Sequence, residues 1–202
     1  MKARPYHHGD LRQTLLDRGA LLLREQGPTA LSAREATREI GVSVTALYRH
    51  FTSVEQWRAE VSRCARQSLA QSMIDAIAQT PAVRPAALAA RRRFRATGTG
   101  YVRFALTEPL LFQGAFMPCT DEPALQDDPS AWQVLEAALD DLVATGAMPA
   151  ARRPEAPIIA WSAAHGLAAL IVQGGVSVSG LDDPQVTSVF DGVSRALGIA
   201  TD

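Results

Sequence analysis

The sequence predicts an all-α protein, and three observations support this fold class. Apolar residues recur about every three or four positions through long stretches, as on the buried face of a helix. Prolines and glycines cluster between these stretches. No alternation of apolar and polar residues runs long enough to indicate a sheet. With 202 residues, 47% of them hydrophobic, the chain can form one medium domain or a small and a larger one.

The first predicted helix starts after Asp10, a favourable N-cap residue, and ends near Glu25. Gly27 and Pro28 follow and stop it. Its apolar face consists of Leu11, Leu15, Leu16, Leu22 and Leu23. We expect this face to brace the segment that follows.

Residues 32–51 are predicted to form two short helices joined by a tight turn. Ser32 and Glu35 have the spacing of a capping box, which indicates the start of the first helix. Gly41 can end that helix in the left-handed conformation, and Ser43 can cap the second.

The second short helix has two different faces. Leu47 and Phe51 lie four positions apart and point back toward the first helix. The outward face then carries Val44, Thr45, Tyr48 and Arg49. A short exposed helix with a hydroxyl, a phenol and a guanidinium fits the major groove of DNA.

The segment LSAREATREIGVSVTALYRHFTSVEQW resembles the helix-turn-helix of the TetR family of bacterial transcription regulators. Its G-V-S, A-L-Y-x-H-F and S-x-E elements have the family's spacing. The resemblance implies a DNA-binding module of three helices, in which Tyr48 contacts the DNA backbone because the A-L-Y motif matches. We expect base or phosphate contacts from a predicted DNA-binding set: Ser32, Ser43, Val44, Thr45, Tyr48, Arg49, His50 and Arg4.

Two positions depart from the family pattern. Val54 stands where the family commonly has a lysine that contacts phosphate, so this contact would come from Arg58, Arg49 or an N-terminal arm. Thr37 stands where an alanine is usual between the two helices. The sequence alone therefore does not determine how the two helices pack around this larger side chain.

The N-terminal arm, residues 1–8, carries Lys2 and Arg4. It is either a frayed terminus or an arm that follows the DNA backbone or enters a minor groove. Arg12 on the first helix is a further candidate for a phosphate contact.

A long helix is predicted from the capping box of Ser53 and Gln56 to about Ala78, followed by a proline-containing break. The next helical stretch begins with a basic run of Arg91, Arg92, Arg93 and Arg95. We favour a solvated or salt-bridging surface for this run over a second nucleic-acid patch.

Aromatic residues cluster after the basic run: Phe94, Tyr101, Phe104, Phe112 and Phe116. The patterns Y-x-x-F-A and P-x-x-F resemble the ligand domain of the TetR subgroup whose chains begin with YHHGDLR. Aromatics at helical spacing belong either to the core or to a pocket wall, and both interpretations stay open here.

Three more helices are predicted in the C-terminal part. The first begins with Asp128 and Pro129, ends at Gly146, and has a stripe of Trp132, Leu135, Leu139, Leu142 and Val143. The second is an apolar helix from Ile158 to about Gln173, whose A-W-S-A-A-H-G segment resembles the W-x-x-x-H-G signature of the same subgroup. The last begins at Asp183 and Pro184 and is closed by Gly198.

The apolar helix must bury both of its faces. A membrane span is disfavoured, because the uncharged stretch of residues 156–181 contains Ser162, His165, Gln173 and a pair of glycines. A two-fold partner is the commonest solution, so we expect a homodimer through a four-helix bundle with two C-terminal helices from each subunit. A wholly internal helix is the alternative.

Charge is distributed unevenly along the chain, although the formal net charge is only −1. Residues 1–66 hold 11 basic against 7 acidic residues, and residues 67–202 hold 9 against 14. A basic N-terminal segment followed by an acidic remainder is expected if only the N-terminal segment contacts DNA phosphates. Chance could also give such a distribution of charge. We place a DNA-binding domain at residues 1–52 and an effector-binding and dimerisation domain at residues 53–202.

Two features bear on compartment and chemistry. The N-terminus lacks an apolar signal core, and Cys64 and Cys119 have neither disulfide-rich nor metal-binding spacing, so a cytoplasmic protein without a metal is expected. Ser162 and His165 form a weak catalytic pattern, and the nucleotide-binding and hydrolase motifs are absent. We therefore expect no enzymatic activity and no cofactor.

The resemblance implies a small-molecule effector site in the C-terminal domain. Its candidate residues are Tyr101, Phe104, Phe112, Phe116, Trp161 and His165, which suggest a mainly apolar or aromatic effector. The predicted function is a repressor, released by its effector from a palindromic operator in double-stranded DNA. Two alternatives are a small-molecule binding protein with a weakened DNA-reading module, and a DNA-binding protein without an effector.

Overall fold

The structure is a computed structural model that describes residues 11–119 and 129–200. Within these ranges, the regular secondary structure consists of α-helices and two short 3-10 turns, without strands, which confirms the predicted all-α class. The helices are α1 Leu11–Gln26, α2 Ala33–Arg38, α3 Val44–Leu47, α4 Val54–Ala78, α5 Ala86–Thr107, α6 Pro109–Ala115, α7 Ala131–Ala144, α8 Ala156–Val172 and α9 Pro184–Ala196. Asp10, the predicted cap of α1, lies outside the described residues.

The chain divides into two compact units. Unit 1 contains Met1–Arg66 and Leu110–Asp127, and unit 2 contains Gln67–Pro109 and Asp128–Asp202. The division by compactness therefore falls inside α4. The boundary predicted between residues 52 and 53 divides the chain by function, into a DNA-binding and an effector-binding domain. That division stays a prediction.

Unit 1 is built around the apolar face of α1. Leu15, Leu22 and Leu23 are fully buried, as predicted for this face. The indole of Trp57 is also buried, and its Nε1 donates a hydrogen bond to the carbonyl oxygen of Leu15 at 3.1 Å. A Cβ on Gly19 would lie 2.4 Å from the side chain of Val61, so α1 and α4 approach closely where α1 has no side chain.

Two ion pairs anchor the helix-turn-helix elements of unit 1. Arg18, which is buried, pairs with Glu39 at 2.7 Å and thereby connects α1 to the end of α2. Arg12 pairs with the buried carboxylate of Glu60 on α4, and its guanidinium lies 5.1 Å from the centroid of the Phe51 ring. Arg12 is nevertheless exposed, so the structure adds a structural partner, and the suggested phosphate contact stays a prediction.

In unit 2, α5 packs against α7 and α8, and α9 packs against α8. Its core includes the fully buried Tyr101, Leu139 and Leu142. Within unit 2, α5 also lies against the second half of α4, where Ser72 Oγ donates a hydrogen bond to the carbonyl oxygen of Gly100 at 2.9 Å.

Part of the basic run on α5 forms salt bridges. Arg93 binds Asp141 on α7, and Arg95 binds Asp191 on α9 at 2.7 Å. Arg93 and Arg95 are therefore part of a salt-bridging surface, which is the interpretation favoured for the basic run.

Helix α7 begins later than the sequence suggested. Ser130, and not Asp128, is its N-cap: Ser130 Oγ accepts a hydrogen bond from the Gln133 backbone N–H at 3.1 Å, and the Gln133 side chain completes a capping box. The prediction favoured Pro129 at the first helical position and overlooked this capping box directly behind it. Gly146, at φ 71°, follows the end of α7 as predicted.

The capping of α9 agrees with the sequence. The Asp183 side chain accepts a hydrogen bond from the Gln185 backbone N–H at 2.9 Å, and hydrogen bonds from Ser179 and Gln185 lower the pKa of the Asp183 carboxyl. Across residues 11–119 and 129–200, no helix combines the length and the apolar character needed to cross a membrane.

Candidate DNA-binding surface and effector cavity

Local hydrogen bonds fix the turn between α2 and α3. Ser32 Oγ caps α2 by accepting a hydrogen bond from the Glu35 backbone N–H at 3.2 Å. After α2, Gly41 takes a φ of 75°, a left-handed conformation that glycine adopts at little cost. The backbone N–H of Val42 then donates to the carbonyl oxygen of Thr37 at 3.2 Å, which closes the end of the helix.

Thr37, which departs from the family pattern, is accommodated within its own helix. Its side chain is 2% exposed, and its Oγ1 donates a hydrogen bond to the carbonyl oxygen of Ala33 at 2.8 Å. Compared with alanine, threonine adds a methyl group and a hydroxyl, and the buried hydroxyl has a hydrogen-bond partner.

Helix α3 presents the outward face that the sequence predicts. Leu47 and Phe51 are buried, and Tyr48 and Val44 are 49% and 40% exposed. Thr45 and Arg49 are exposed, His50 is half-buried, and Ser43 is exposed at the N-cap without a side-chain cap hydrogen bond. We define the α3 surface as Ser43, Val44, Thr45, Tyr48 and Arg49.

An exposed tyrosine and valine on so short a helix are not explained by the packing of unit 1, since α3 already buries Leu47. Their side chains are available to contact bases and phosphates. Ser32 has a structural role as the cap of α2, and Arg4 lies outside the described residues.

Unit 2 contains an apolar cavity between α4, α5, α7, α8 and α9, which we call the effector cavity. Its volume is about 40 Å³, enough for a few water molecules and too small for a drug-sized ligand without movement of its walls. The walls are formed by Met73, Phe94, Arg95, Thr97, Gly98, Tyr101, Leu135, Ala160, Trp161, Ala164, Phe190, Val193 and Ser194.

Tyr101 and His165 form a polar pair beside the cavity. The Tyr101 hydroxyl lies 2.8 Å from Nδ1 of His165, and the ring of Trp161 packs edge-on against Tyr101 at 5.3 Å between centroids. Burial raises the pKa of the Tyr101 hydroxyl far above its usual range and lowers the pKa of the His165 imidazole. Both shifts favour the uncharged forms, so the pair adds hydrogen-bonding capacity without a charge.

The other polar side chains of the wall are held by the protein itself. Thr97 Oγ1 donates to the Phe94 carbonyl oxygen at 2.7 Å, and Ser194 Oγ donates to the Phe190 carbonyl oxygen at 3.0 Å. Arg95 is bound to Asp191. The interior of the cavity therefore offers mainly aromatic and aliphatic carbon to a ligand.

Only part of the predicted effector set lines this cavity. Tyr101 and Trp161 are in the wall, and His165 is joined to it through Tyr101. Phe104 is buried in unit 2 outside the wall. Phe112 and Phe116 belong to unit 1, where their rings pack at 5.1 Å.

Two family models match the sequence. The model described as bacterial regulatory proteins of the tetR family matches residues 15–61, which include the α2–α3 turn and the α3 surface. A second model, described as a tetracyclin repressor-like C-terminal domain, matches residues 94–197, which is just over half of the chain. The chain belongs to the TetR family.

Solved structures show the same fold. A Rhodococcus sp. RHA1 protein described as having unknown function is 26% identical, with a TM-score of 0.76 over 96% of this chain and 99% of that one. A TetR family transcription regulator from Marinobacter aquaeolei VT8 is 16% identical, with a TM-score of 0.63 over 94% and 96%. The TetR family regulator PfmR from Thermus thermophilus is 19% identical, with a TM-score of 0.53 over 93% and 99%. Among curated proteins, none matches this sequence.

Membership in the TetR family assigns the DNA-binding part of the molecule to unit 1 residues and the ligand-binding part to the C-terminal helices. The first family model ends at Val61, inside α4. The narrower subgroup suggested by W-x-x-x-H-G stays a prediction.

Several wall residues were not among the predicted effector residues, notably Met73, Phe94 and Phe190. Phe190 belongs to a helix far along the chain and reaches the cavity only after α9 has packed on α8. One signal was present in the sequence: Gly98 is a glycine inside a helix, where it costs stability unless something approaches closely. In the structure, a Cβ at Gly98 would lie 3.0 Å from the Phe190 ring.

Proposed function

We propose that this TetR-family regulator is a repressor that binds a near-palindromic operator as a homodimer and leaves it when a small, mainly apolar effector binds. The observation that carries the DNA-binding half is the α3 surface. Tyr48 and Val44 are exposed there, while Leu47 and Phe51 hold the same segment in the core. A rigid platform with exposed side chains is what direct contact with a major groove requires.

The exposed apolar residues of α8 support the dimer. Ile158 is 57% exposed and Leu170 is 47% exposed, although α8 carries no Asp, Glu, Lys or Arg. Pairing α8 and α9 with the same helices of a second copy would remove these side chains from water. Two copies would read two half-sites, spaced by about one helical turn or a multiple of it.

The effector cavity supports regulation by a ligand. The cavity is apolar, and Met73 of α4 is part of its wall. The first turns of the same helix, α4, carry Trp57 and Glu60, which belong to unit 1. An effector need favour one of two conformations by only about 1–3 kcal/mol to change operator affinity roughly 5–150-fold.

We assign no catalytic role to Ser162 and His165. Ser162 is exposed, and Nδ1 of His165 is hydrogen-bonded to the Tyr101 hydroxyl. Neither side chain therefore has the nucleophile–base geometry that covalent catalysis needs.

The variant Tyr48→Ala tests the proposed DNA-binding role. We expect it to weaken binding to DNA from directly upstream of the protein's own gene by about tenfold or more, because a lost phosphate or base contact is worth roughly 1–3 kcal/mol. Fluorescence anisotropy across a salt series measures this, and affinity should fall with a log–log slope of about −0.9 per neutralised phosphate. Random DNA as competitor separates specific from general binding.

Leu21→Ala is the matched control, since Leu21 is an exposed apolar residue of α1 outside the α3 surface. It should bind the operator like the wild type, and both variants should keep the wild-type melting temperature. A folded Tyr48→Ala protein with unchanged specific affinity would contradict the proposed role of α3.

A second candidate function is a small-molecule binding protein whose DNA-reading module is weakened. The observation in its favour is Val54, which stands at the start of α4 where the family commonly has a lysine. In that case the protein would show no preference for any DNA over random competitor, while a ligand of the effector cavity would still raise its melting temperature.

A further inference from the structure

The effector cavity comes closest to solvent at Arg95. Among the described residues of its wall, Arg95 is the exposed one, and the others are buried or half-buried. Together with Phe94 and Ser194, Arg95 also lines a second space of about 370 Å³ beside α5 and α9, which we call the outer pocket. The side chain of Arg95 therefore separates the closed cavity from a space large enough for a small ligand.

Two neighbouring residues of α9 hold Arg95 in place. Its Nη1 donates a hydrogen bond to Asp191 Oδ1 at 2.7 Å, and its guanidinium lies over the ring of Phe190, 5.6 Å from the ring centroid. Both side chains of the ion pair are partly exposed, and such a pair changes an equilibrium by about fivefold at most. Elsewhere the wall is closed by fully packed apolar side chains such as Leu135, whose burial is worth more. The wall is thus weakest where Arg95 meets α9.

The Phe190 ring fills a slot on α5. A Cβ on Gly98 would lie 3.0 Å from this ring, so the ring lies directly on the glycine backbone, with the guanidinium of Arg95 over it. A slot with a glycine floor and a guanidinium cover favours a flat aromatic ring over a puckered one, through close contact and a cation–π interaction. Phe190 is only half-buried there, and it belongs to the helix whose ion pair closes the wall. The protein's own ring thus occupies a place that suits a flat ligand.

The wall of the effector cavity favours an uncharged ligand. Among its described residues, the one formal charge belongs to Arg95, and that guanidinium is paired with Asp191. A charged group in the cavity would therefore be buried among carbon atoms without an available partner, which is costly.

We propose that the effector is an uncharged, planar aromatic molecule and that it displaces the Phe190 ring. It enters between α5 and α9 when the Arg95–Asp191 pair opens, and its own ring then lies on Gly98 beneath the Arg95 guanidinium. Once Phe190 has left the wall, the effector cavity and the outer pocket become continuous. This inference rests on the proposed function, because it names the class of molecule that the effector cavity takes.

Cysteine labelling tests the entrance without a ligand. Ala160→Cys, in a background whose two native cysteines are replaced by serine, places one thiol in the buried wall of the cavity. Methyl methanethiosulfonate should label this thiol slowly, and Asp191→Asn should raise the labelling rate about two- to fivefold by breaking the ion pair. Asp141→Asn is the matched control, because it breaks the Arg93–Asp141 pair, which has nearly the same exposure and lies outside the cavity wall. It should leave the rate unchanged.

Three probes with the same two-ring skeleton test the ligand class by isothermal titration calorimetry on the full chain. At neutral pH, 2-naphthol is flat and uncharged, decahydro-2-naphthol is puckered and uncharged, and 2-naphthoate is flat and anionic. We expect 2-naphthol to bind the wild type about tenfold or more tightly than either of the others, because it alone is both flat and uncharged.

The variant Phe190→Ala tests the displacement. It should raise the affinity for 2-naphthol about tenfold or more, because the ligand no longer competes with the Phe190 ring. Phe190→Leu, which keeps apolar volume without a flat ring, is a milder variant and should change the affinity in the same direction. Val189→Ala is the matched control, since it truncates a half-buried apolar side chain of the same helix outside the cavity wall. It should keep the wild-type affinity, and circular dichroism melting curves establish that each variant is folded.

The inference would be overturned if 2-naphthol did not bind the wild type, or if either of the other probes bound as tightly. A labelling rate that Asp191→Asn raises no more than Asp141→Asn would also overturn it. Operator release by decahydro-2-naphthol, without binding of 2-naphthol, would uphold the proposed regulation and overturn the planar class. Binding of 2-naphthol that Phe190→Ala strengthens, without any change in operator affinity, would uphold this inference and contradict the regulatory role.

Discussion

The variant Gly100→Ala is expected to destabilise the protein by about 3 kcal/mol, the upper range for overpacking a core. Gly100 lies on α5 in unit 2, where a Cβ would come within 2.6 Å of Met73 Cα and of the Ser72 carbonyl oxygen on α4. These are backbone atoms, which cannot rotate away as a side chain can. The two helices would have to separate, and the hydrogen bond from Ser72 Oγ to the Gly100 carbonyl oxygen would be lost.

Urea unfolding followed by circular dichroism measures this loss, with Gly192→Ala as the matched control. Gly192 lies inside α9, and the nearest atom to its Cβ would be the flexible end of Arg195 at 3.9 Å. Because glycine is a poor helix former, this control should gain about 0.5–1 kcal/mol. If Gly100→Ala were as stable as the wild type, α4 and α5 could not be as close as the structure places them.

The variant Arg12→Met is expected to destabilise unit 1 by about 3 kcal/mol, because it leaves a buried charge without its partner. The Glu60 side chain is 2% exposed, and Arg12 is the residue that pairs with it. Methionine keeps an apolar stem against the ring of Phe51, which Arg12 covers, so most of the loss comes from the ion pair. Thermal and urea unfolding both report the loss.

A double variant and a control locate the cause. Arg12→Met/Glu60→Leu removes both charges and should be more stable than Arg12→Met alone, which gives a coupling energy between the two sites. Arg24→Met replaces an exposed arginine of the same helix and should change stability by no more than about 0.5 kcal/mol. A loss in Arg12→Met that is no larger than in Arg24→Met would contradict the role of this ion pair.

The turn between α2 and α3 could be predicted from the sequence, because its determinants are local, although the predicted side-chain cap of Ser43 is not formed. A cap at Ser32, a left-handed Gly41 and the four-residue spacing of Leu47 and Phe51 each act within one or two turns of chain. The function of Arg12 could not be predicted in the same way. Its partner, Glu60, is 48 positions away, and only the packing of α1 on α4 brings the two together.

The effector cavity was harder to predict, because it forms where five helices meet. Aromatic side chains at helical spacing look alike in sequence whether they fill a core or line a cavity. Phe112 and Phe116 pack in unit 1, while Phe190, which lines the cavity, looked like one more residue of an apolar stripe. The glycines inside α5 were the informative feature, since each marks a close approach by another element.

The central proposal is that two copies of the α3 surface read a specific DNA sequence. The most direct test is to select bound fragments from a random DNA pool with the purified protein, and to repeat the selection with Tyr48→Ala. We predict that the wild type enriches an inverted repeat, with half-sites spaced by about one helical turn or a multiple of it, and that the variant does not. Enrichment of the same repeat by both proteins, or of no motif by the wild type, would contradict the account.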